Sequence, residues 1–322
     1  MLDNIGFYTL TNERAKTATW NSNLQRCELI LTDRCNFSCP YCRGLSADIK
    51  GDISMTSALS VVDLWASGGL KNIRFSGGEP TIWQGLIDLV DYTKRKDCIE
   101  RIAISTNGSA DLDFYLALIR AGVDDFSISL DACCSSTANT MAGKNAGFEH
   151  LVRVISALSK ITYVTVGVVL DEQNNDELKG IINYATGLGV SDIRIIPSAQ
   201  SNHSLDIDIG TNYPILKYRL NNIRSGRHVR GLVATDTTKC HLVKDDMVIV
   251  KNNHYPCIIY MRERGGAIGN IKGMSIERVR EERKTWFDNF NTHNSKICSA
   301  NCLDVCIDYN NLVEMSGRKW KP

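Results

Sequence analysis

The sequence predicts an α/β fold in which helices cover a parallel β-sheet. Between residue 27 and about residue 196, short β-branched runs alternate six times with amphipathic helical patterns. Apolar strands that alternate with helices are typical of parallel sheets, because the connecting helices shield the sheet from water. Six such units could form an open doubly wound sheet or a partial barrel, and periodicity does not separate the two. In both arrangements, ligands bind at the carboxyl ends of the strands.

The predicted strands and helices follow one another in regular order. The predicted strands are residues 27–32, 72–75, 101–105, 125–130, 162–170 and 193–196. The predicted helices are residues 54–67, 82–94, 111–121, 147–158 and 175–188. Gly122 and Gly189 directly follow two of these helices. Glycine ends a helix readily there, because it adopts a left-handed backbone conformation without strain.

After about residue 230 the pattern changes. Two strand-like runs, 246–250 and 255–260, flank the polar tetrad 251–254 and predict a β-hairpin. A charged helix is predicted at 275–290, and the polar segment 198–210 is expected to be a linker or an active-site loop. We therefore predict three parts, namely an N-terminal extension (1–26), a core (27–230) and a smaller C-terminal domain (231–322).

Composition restricts the classes of function. The chain has 322 residues and a formal net charge of +1, which argues against nucleic acid and against an anionic membrane surface as partners. It has no apolar run of the roughly 20 residues that span a bilayer, and its first residues lack the apolar core of a signal peptide. The 12 cysteines are clustered, which is more typical of metal binding in the reducing cytoplasm than of disulfides. We expect a cytoplasmic metal-binding protein.

The first cysteine cluster follows the first predicted strand. Cys35, Cys39 and Cys42 have C-x3-C-x2-C spacing on one short loop. A structural zinc site needs four ligands, whereas three thiolates suit a [4Fe–4S] cluster with one iron open to another ligand. A zinc loop with a distant fourth ligand is the alternative.

A second motif, Ser76-Gly77-Gly78-Glu79-Pro80, follows the second predicted strand. Its glycines let the backbone approach a ligand without a Cβ in the way, and Glu79 could accept a bond from a ligand ammonium. Such a turn alone is weak evidence. Its position beside the loop that follows the first strand makes it specific.

Together, the segment CNFSCPYC, with Tyr41 before the last cysteine, and SGGEP resemble the radical S-adenosylmethionine (SAM) superfamily. The resemblance covers residues 27 to about 196 and implies a partial (β/α)6 TIM-like barrel. It implies a [4Fe–4S] cluster held by the three cysteines, whose fourth iron is chelated by SAM. One-electron cleavage of SAM would give a 5′-deoxyadenosyl radical that abstracts a substrate hydrogen, with an electron donor such as flavodoxin or ferredoxin.

The resemblance also implies which residues contact SAM. It places the segment 77–79 against the methionine amino group, and polar residues after the fourth strand against the carboxylate and ribose. The implied cofactor-binding residues are Tyr41, Gly77, Gly78, Glu79, Thr106, Asn107, Ser129, Asp131 and Ile196. For those from Thr106 onward, ordinary strand-end packing is the alternative explanation.

The C-terminal region contains a second set of cysteines. They are Cys240 and Cys257, which bracket the predicted hairpin, and Cys298, Cys302 and Cys306. Four thiolates complete a closed [4Fe–4S] cluster, so five cysteines support one auxiliary cluster. The arrangement resembles the shortened SPASM domain ("twitch") of some radical SAM enzymes, a small α+β unit. Spacing leaves open which of the last three ligate, and a structural zinc site is the alternative.

Cys133 and Cys134 lie just after the fourth predicted strand. One hypothesis makes one of them a catalytic thiol that gives a hydrogen atom to a substrate radical. The other makes them small apolar residues, since free cysteines are often buried.

The substrate is not determined by these motifs. The favoured interpretation is oxidation or modification of a small molecule, assisted by the auxiliary cluster, and the first alternative is maturation or epimerisation of a ribosomal peptide. A third resemblance, to the GTP cyclase of molybdenum-cofactor synthesis, is placed last, because that family has a C-x2-C pair and a double-glycine tail where this chain has C-x3-C-x3-C. A non-catalytic iron–sulfur protein is the remaining alternative.

Overall fold

A nine-stranded sheet forms the centre of the molecule in the computed structural model, which describes residues 2–4, 9–45, 47–199 and 210–318. The strands are β1 Arg26–Ile30, β2 Asn72–Ser76, β3 Arg101–Thr106, β4 Asp125–Ser129, β5 Tyr163–Leu170, β6 Asp192–Pro197, β7 Asp246–Val250, β8 Asn253–Tyr255 and β9 Gly269–Asn270. The first six confirm the predicted strands within one or two residues.

Twelve α-helices accompany the sheet within the described ranges. They are α1 Asn12–Thr17, α2 Met55–Ser67, α3 Leu86–Lys94, α4 Leu112–Ala121, α5 Ser135–Ala142, α6 Phe148–Leu158, α7 Leu178–Gly187, α8 Pro214–Arg224, α9 Ile258–Arg262, α10 Ile276–Asn289, α11 Lys296–Asn301 and α12 Asp304–Arg318. Helices α2, α3, α4, α6, α7 and α10 were predicted. The sequence patterns gave no indication of α1, α5, α8, α11 or α12. No helix in the described ranges is long and apolar enough to cross a membrane.

Strand order shows that the sheet is a partial barrel. The order is β6-β5-β4-β3-β2-β1-β7-β8-β9, and β1 to β7 are parallel. Each of the first six strands lies beside its predecessor, without the reversal that defines a doubly wound sheet. Alternate residues of all six strands line one cavity of about 330 Å3, so the sheet curves around it. We call this cavity the lumen.

The hairpin after residue 245 is shorter than predicted. Strand β7 pairs with β1 in parallel, and β8 pairs with β7 in the antiparallel sense through a turn at Lys251, whose φ is 54°. The predicted strand 255–260 is wrong: β8 ends at Tyr255 and α9 follows. Pro256 has no N–H for a ladder, and Cys257 caps α9 by accepting a bond from the Tyr260 amide at 3.3 Å.

The N-terminal and C-terminal parts of the chain pack together. Leu10 and Ala15 share an apolar cluster with Tyr309 and Val313 of α12. The buried Arg14 pairs with Asp245 and Asp246 beside β7. The division into three domains remains a prediction. Most of the predicted loop 198–210 lies outside the described residues.

Candidate functional site

The cysteine loop (residues 33–45) follows β1 at the carboxyl edge of the sheet. Cys35 and Cys42 are exposed and Cys39 is half-buried. The Cys42 amide donates to the Cys39 carbonyl at 3.0 Å, and the Ser38 amide donates to Ala142 at the end of α5 at 2.9 Å. Burial raises the pKa of the Cys39 thiol to about 11, and the neighbouring thiols add to the shift. A bound cation would favour the thiolate forms of Cys35 and Cys39, whose pKa values burial raises.

The GGEP turn (residues 76–80) packs directly on this loop. The Gly78 amide donates to Thr32 at 2.7 Å, and the Glu79 amide donates to Arg34 at 2.8 Å. A Cβ on Gly77 or Gly78 would approach the carbonyl oxygen of Thr32 or Arg34, respectively, to less than 3.0 Å. The glycines were predicted to let a ligand approach, but the atoms closest to them are backbone atoms of Thr32 and Arg34, at the start of the cysteine loop.

The Glu79 side chain stabilises the turn through hydrogen bonds. Its fully buried carboxylate accepts bonds from the hydroxyls of Thr81 and Thr106 and from the Asn107 amide, each at 2.7 Å. Burial raises its pKa. A contact between this carboxylate and a ligand ammonium stays a prediction, and it would have to share an oxygen that already accepts bonds.

Tyr41 and Asp131 connect the cysteine loop to the ends of β4 and β5. The Tyr41 hydroxyl donates to Asp131 at 2.5 Å, and the Val169 amide donates to the other carboxylate oxygen at 2.6 Å. Burial raises the pKa of Asp131 to about 6, although both hydrogen bonds oppose the shift. Asn107 lies at the same carboxyl edge of the sheet, and its side-chain nitrogen is 3.9 Å from the Cys35 sulfur. Ser129 is exposed at the end of β4.

The second cysteine set converges on the lumen. The auxiliary cysteines, which all line this cavity, are Cys240, Cys257, Cys298, Cys302 and Cys306. Burial raises the pKa of each thiol, to about 12 for Cys257. Within the described ranges, no three Cys, His, Asp or Glu residues form a group that could hold a single metal ion. An auxiliary metal cluster on these thiols stays a prediction.

Comparison with known families identifies a domain that contains the first site. The family model "Radical SAM superfamily" matches residues 29–185, a range that contains the cysteine loop and the GGEP turn. The chain carries a radical SAM domain. The resemblance inferred from the two motifs is therefore confirmed, as is the partial-barrel fold.

Known proteins resemble this chain over different lengths. The GTP 3′,8-cyclase of Clostridium perfringens (strain 13 / Type A) is 33% identical over 171 residues, which are 48% of this chain and 50% of that protein. The matched regions cover between 30% and 64% of the length of three curated relatives.

Two solved structures share the fold at low identity. Streptococcus suis SuiB bound to its precursor peptide SuiA has a TM-score of 0.63 at 12% identity, covering 89% of this chain and 71% of SuiB. Native anSMEcpe with bound AdoMet has a TM-score of 0.61 at 16% identity, covering 92% of this chain and 95% of that one.

Cys133 and Cys134 lie outside the lumen of the radical SAM barrel. The Cys133 sulfur is 3.6 Å from the Glu177 carboxylate and close to Gly180 of α7. Cys134 precedes α5, and a bond from the Ser136 hydroxyl lowers its pKa. Among the described residues, neither lines the cavity. A role as hydrogen donor stays a prediction that this position does not favour.

The residues that sequence reasoning missed are charged side chains inside the barrel. The arginines that line the lumen are Arg26, Arg74, Arg194, Arg219 and Arg230. Ile196, two residues after Arg194 on the same face of β6, also lines it. Arg74 and Arg194 each lie between two apolar residues of a strand. A basic residue between apolar strand residues was the sequence signal for these arginines. The direction of its side chain could not be predicted, because that direction depends on how the sheet closes.

Proposed function

We propose that this chain is a radical SAM enzyme that abstracts a hydrogen atom from an anionic small molecule held in the lumen. The observation that carries the proposal is that Arg74 and Arg194 line that cavity without a carboxylate within salt-bridge distance among the described residues. The same proposal includes an auxiliary cluster on the second cysteine set.

Two of the lumen arginines have their charge neutralised by close carboxylates. Arg26 pairs with Asp246 at 2.6 Å, and Arg219 pairs with the fully buried Asp304. Both are therefore parts of structural ion pairs.

Arg74 and Arg194 have no carboxylate partner among the described residues. Their buried Nε atoms have no hydrogen-bond partner. Glu28 attracts Arg194 from a longer distance, but its carboxylate accepts a bond from the Ser76 hydroxyl at 2.5 Å. Burial and the charge of Arg74 lower the pKa of Arg194 to about 10, so it remains a cation at neutral pH.

Arg74 and Arg194 are half-buried, and Arg194 also donates to the Ser127 hydroxyl at 3.2 Å. Taking a cation out of water without a counter-ion is costly. An anionic ligand would offset this cost, because the planar guanidinium group matches carboxylate and phosphate oxygens with two parallel hydrogen bonds. The lumen therefore favours a substrate that carries a carboxylate or a phosphate.

The residues at the carboxyl edge of the barrel have the donor chemistry for the cofactors. Cys35, Cys39 and Cys42 would hold a four-iron cluster, since three thiolates leave one iron open. A cluster and SAM bound there supply one-electron cleavage of SAM and abstraction of a hydrogen atom. Tyr41 and Asp131 fix the cysteine loop against β4 and β5.

The proposal is tested by anaerobic incubation of reconstituted protein with SAM and dithionite. We expect 5′-deoxyadenosine, and none from the triple variant C35A/C39A/C42A. Iron and sulfide near eight each per chain would support two four-iron clusters, and about four would remove the auxiliary one. Absence of 5′-deoxyadenosine from protein with intact clusters and candidate substrates would sink the proposal.

Substrate charge is tested separately. Carboxylated and phosphorylated candidates should protect the wild type from thermal unfolding more than neutral analogues do. Arg74→Gln and Arg194→Gln should lose this discrimination, whereas Arg278→Gln, at a side chain 62% exposed on α10, should keep it. Equal protection by neutral analogues would contradict the anionic-substrate part alone.

GTP is a second candidate substrate, favoured by the named activity of the curated relatives. A triphosphate also suits two arginines that have no carboxylate partner among the described residues. The C-x3-C-x3-C spacing, which the sequence set against this candidate, still distinguishes the chain from that family. SAM-dependent loss of GTP with appearance of a cyclised product would establish it, and protection by other anions but not by GTP would exclude it.

A further inference from the structure

One guanidinium group joins the two loops of the radical SAM site. Arg262, the last residue of α9, donates to the Gly44 carbonyl at 3.0 Å and to the Gly77 carbonyl at 2.6 Å. Gly44 lies two residues after Cys42, and Gly77 opens the GGEP turn. The contact therefore connects the far end of the cysteine loop to the turn.

The start of the cysteine loop is already fixed by other bonds. The amides of Gly78 and Glu79 donate to the carbonyls of Thr32 and Arg34. The end of the loop depends on the residues that follow Cys257. Besides the two bonds from Arg262, Glu263 forms an ion pair with Arg43, the residue after Cys42.

The other end of α9 is one of the auxiliary cysteines. Cys257 caps the helix through its sulfur and lines the lumen. The helix has five residues, and at 1.5 Å per residue it is about 8 Å long. A short helix thus separates an auxiliary thiol from the side chain that bridges the SAM loops.

We propose that Arg262 is a positioning residue that sets the separation of the cysteine loop and the GGEP turn, and thereby the affinity of this site for SAM. Its SAM-binding part rests on the proposed function. Helix α9, which Cys257 caps, holds the Arg262 guanidinium beside both loops.

The test compares Arg262→Gln and Arg262→Lys with Arg264→Gln in reconstituted protein. Arg264 is exposed, two residues further on, and its replacement removes the same charge. Amide hydrogen exchange of residues 43–45 and 76–79 is measured before SAM is added. The SAM dissociation constant is then measured from the change in the cluster's electron paramagnetic resonance signal.

We expect Arg262→Gln to raise exchange in both segments and the dissociation constant about tenfold, as expected for loss of charged hydrogen bonds. Arg262→Lys should be intermediate, because an ammonium group does not span two carbonyls as a guanidinium does. Arg264→Gln should match the wild type in both measurements.

Wild-type exchange or a wild-type dissociation constant in Arg262→Gln would overturn the proposal, as would an equal effect of Arg264→Gln. A wild type that binds no SAM would refute the proposed function and the SAM-binding part together. The exchange measurement would then decide by itself whether Arg262 joins the two loops.

Discussion

Gly78 shows how little space separates the GGEP turn from the cysteine loop. Any side chain there would meet the Arg34 carbonyl, which is backbone and cannot rotate away. The position therefore requires glycine for packing between loops, whatever ligand binds above them. Its φ is not in the left-handed region, so crowding is the whole reason.

We expect Gly78→Ala to lower the free energy of unfolding by about 2 to 4 kcal/mol, since the backbone must shift to admit the methyl group. The control is Gly187→Ala at the end of α7, where a Cβ would have nothing within 4 Å. Alanine should be neutral or stabilise the protein there by up to about 1 kcal/mol. Urea unfolding measures both, and equal effects would contradict the crowding argument.

At the scale of elements, β-branched runs and helical periodicity predicted the six βα units well. They failed at residues 258–260, because a short apolar run does not distinguish a strand from a helix. Pro256 has no N–H to donate within a strand ladder, and Cys257 caps α9, so residues 258–260 form a helix. Helices α5 and α12 were missed because their polar residues mask the apolar face, and α12 is identified only by its packing on α1.

Arg14 connects α1 to α12 and to β7. Its guanidinium pairs with Asp245 and Asp246 and lies 4.6 Å from the centre of the Tyr309 ring. Replacing it leaves buried carboxylates with less positive charge beside them. The N-terminal segment is thus part of the folded unit.

Arg14→Leu should cost about 3 to 5 kcal/mol of stability, the range for breaking a buried pair. Arg95→Ala, which breaks an exposed pair with Asp91, should cost under about 0.5 kcal/mol. Burial already raises the pKa of Asp245, and Arg14 opposes this. Its loss raises that pKa further, so the deficit should be larger at pH 8 than at pH 5. A deficit that shrinks as the pH rises would contradict this assignment.

At the scale of the whole molecule, the lumen brings together residues that the sequence keeps far apart. The two cysteine sets could be found from spacing, because thiol clusters are rare. The arginines could not, since only the closure of the sheet turns Arg74 and Arg194 toward the same space as the auxiliary cysteines. Side-chain direction in a barrel is a property of the complete sheet.

On the proposed function, the charge of Arg194 binds an anionic ligand and lowers the stability of the unliganded protein. We expect Arg194→Gln to raise the melting temperature by a few degrees, because it removes a desolvated cation without a carboxylate partner in the described structure. Inorganic phosphate should raise the melting temperature of the wild type and have less effect on the variant. A variant that is less stable than the wild type, with unchanged phosphate response, would show that Arg194 is structural.

The inward direction of the auxiliary thiols has a consequence for the order of assembly. They line the lumen, which the proposed substrate would also occupy, so on the proposed function iron and sulfide would enter through the same space. On the proposed function, maturation of the auxiliary cluster must therefore precede the first encounter with substrate. A cell that held high substrate levels during synthesis would slow the maturation of its own enzyme.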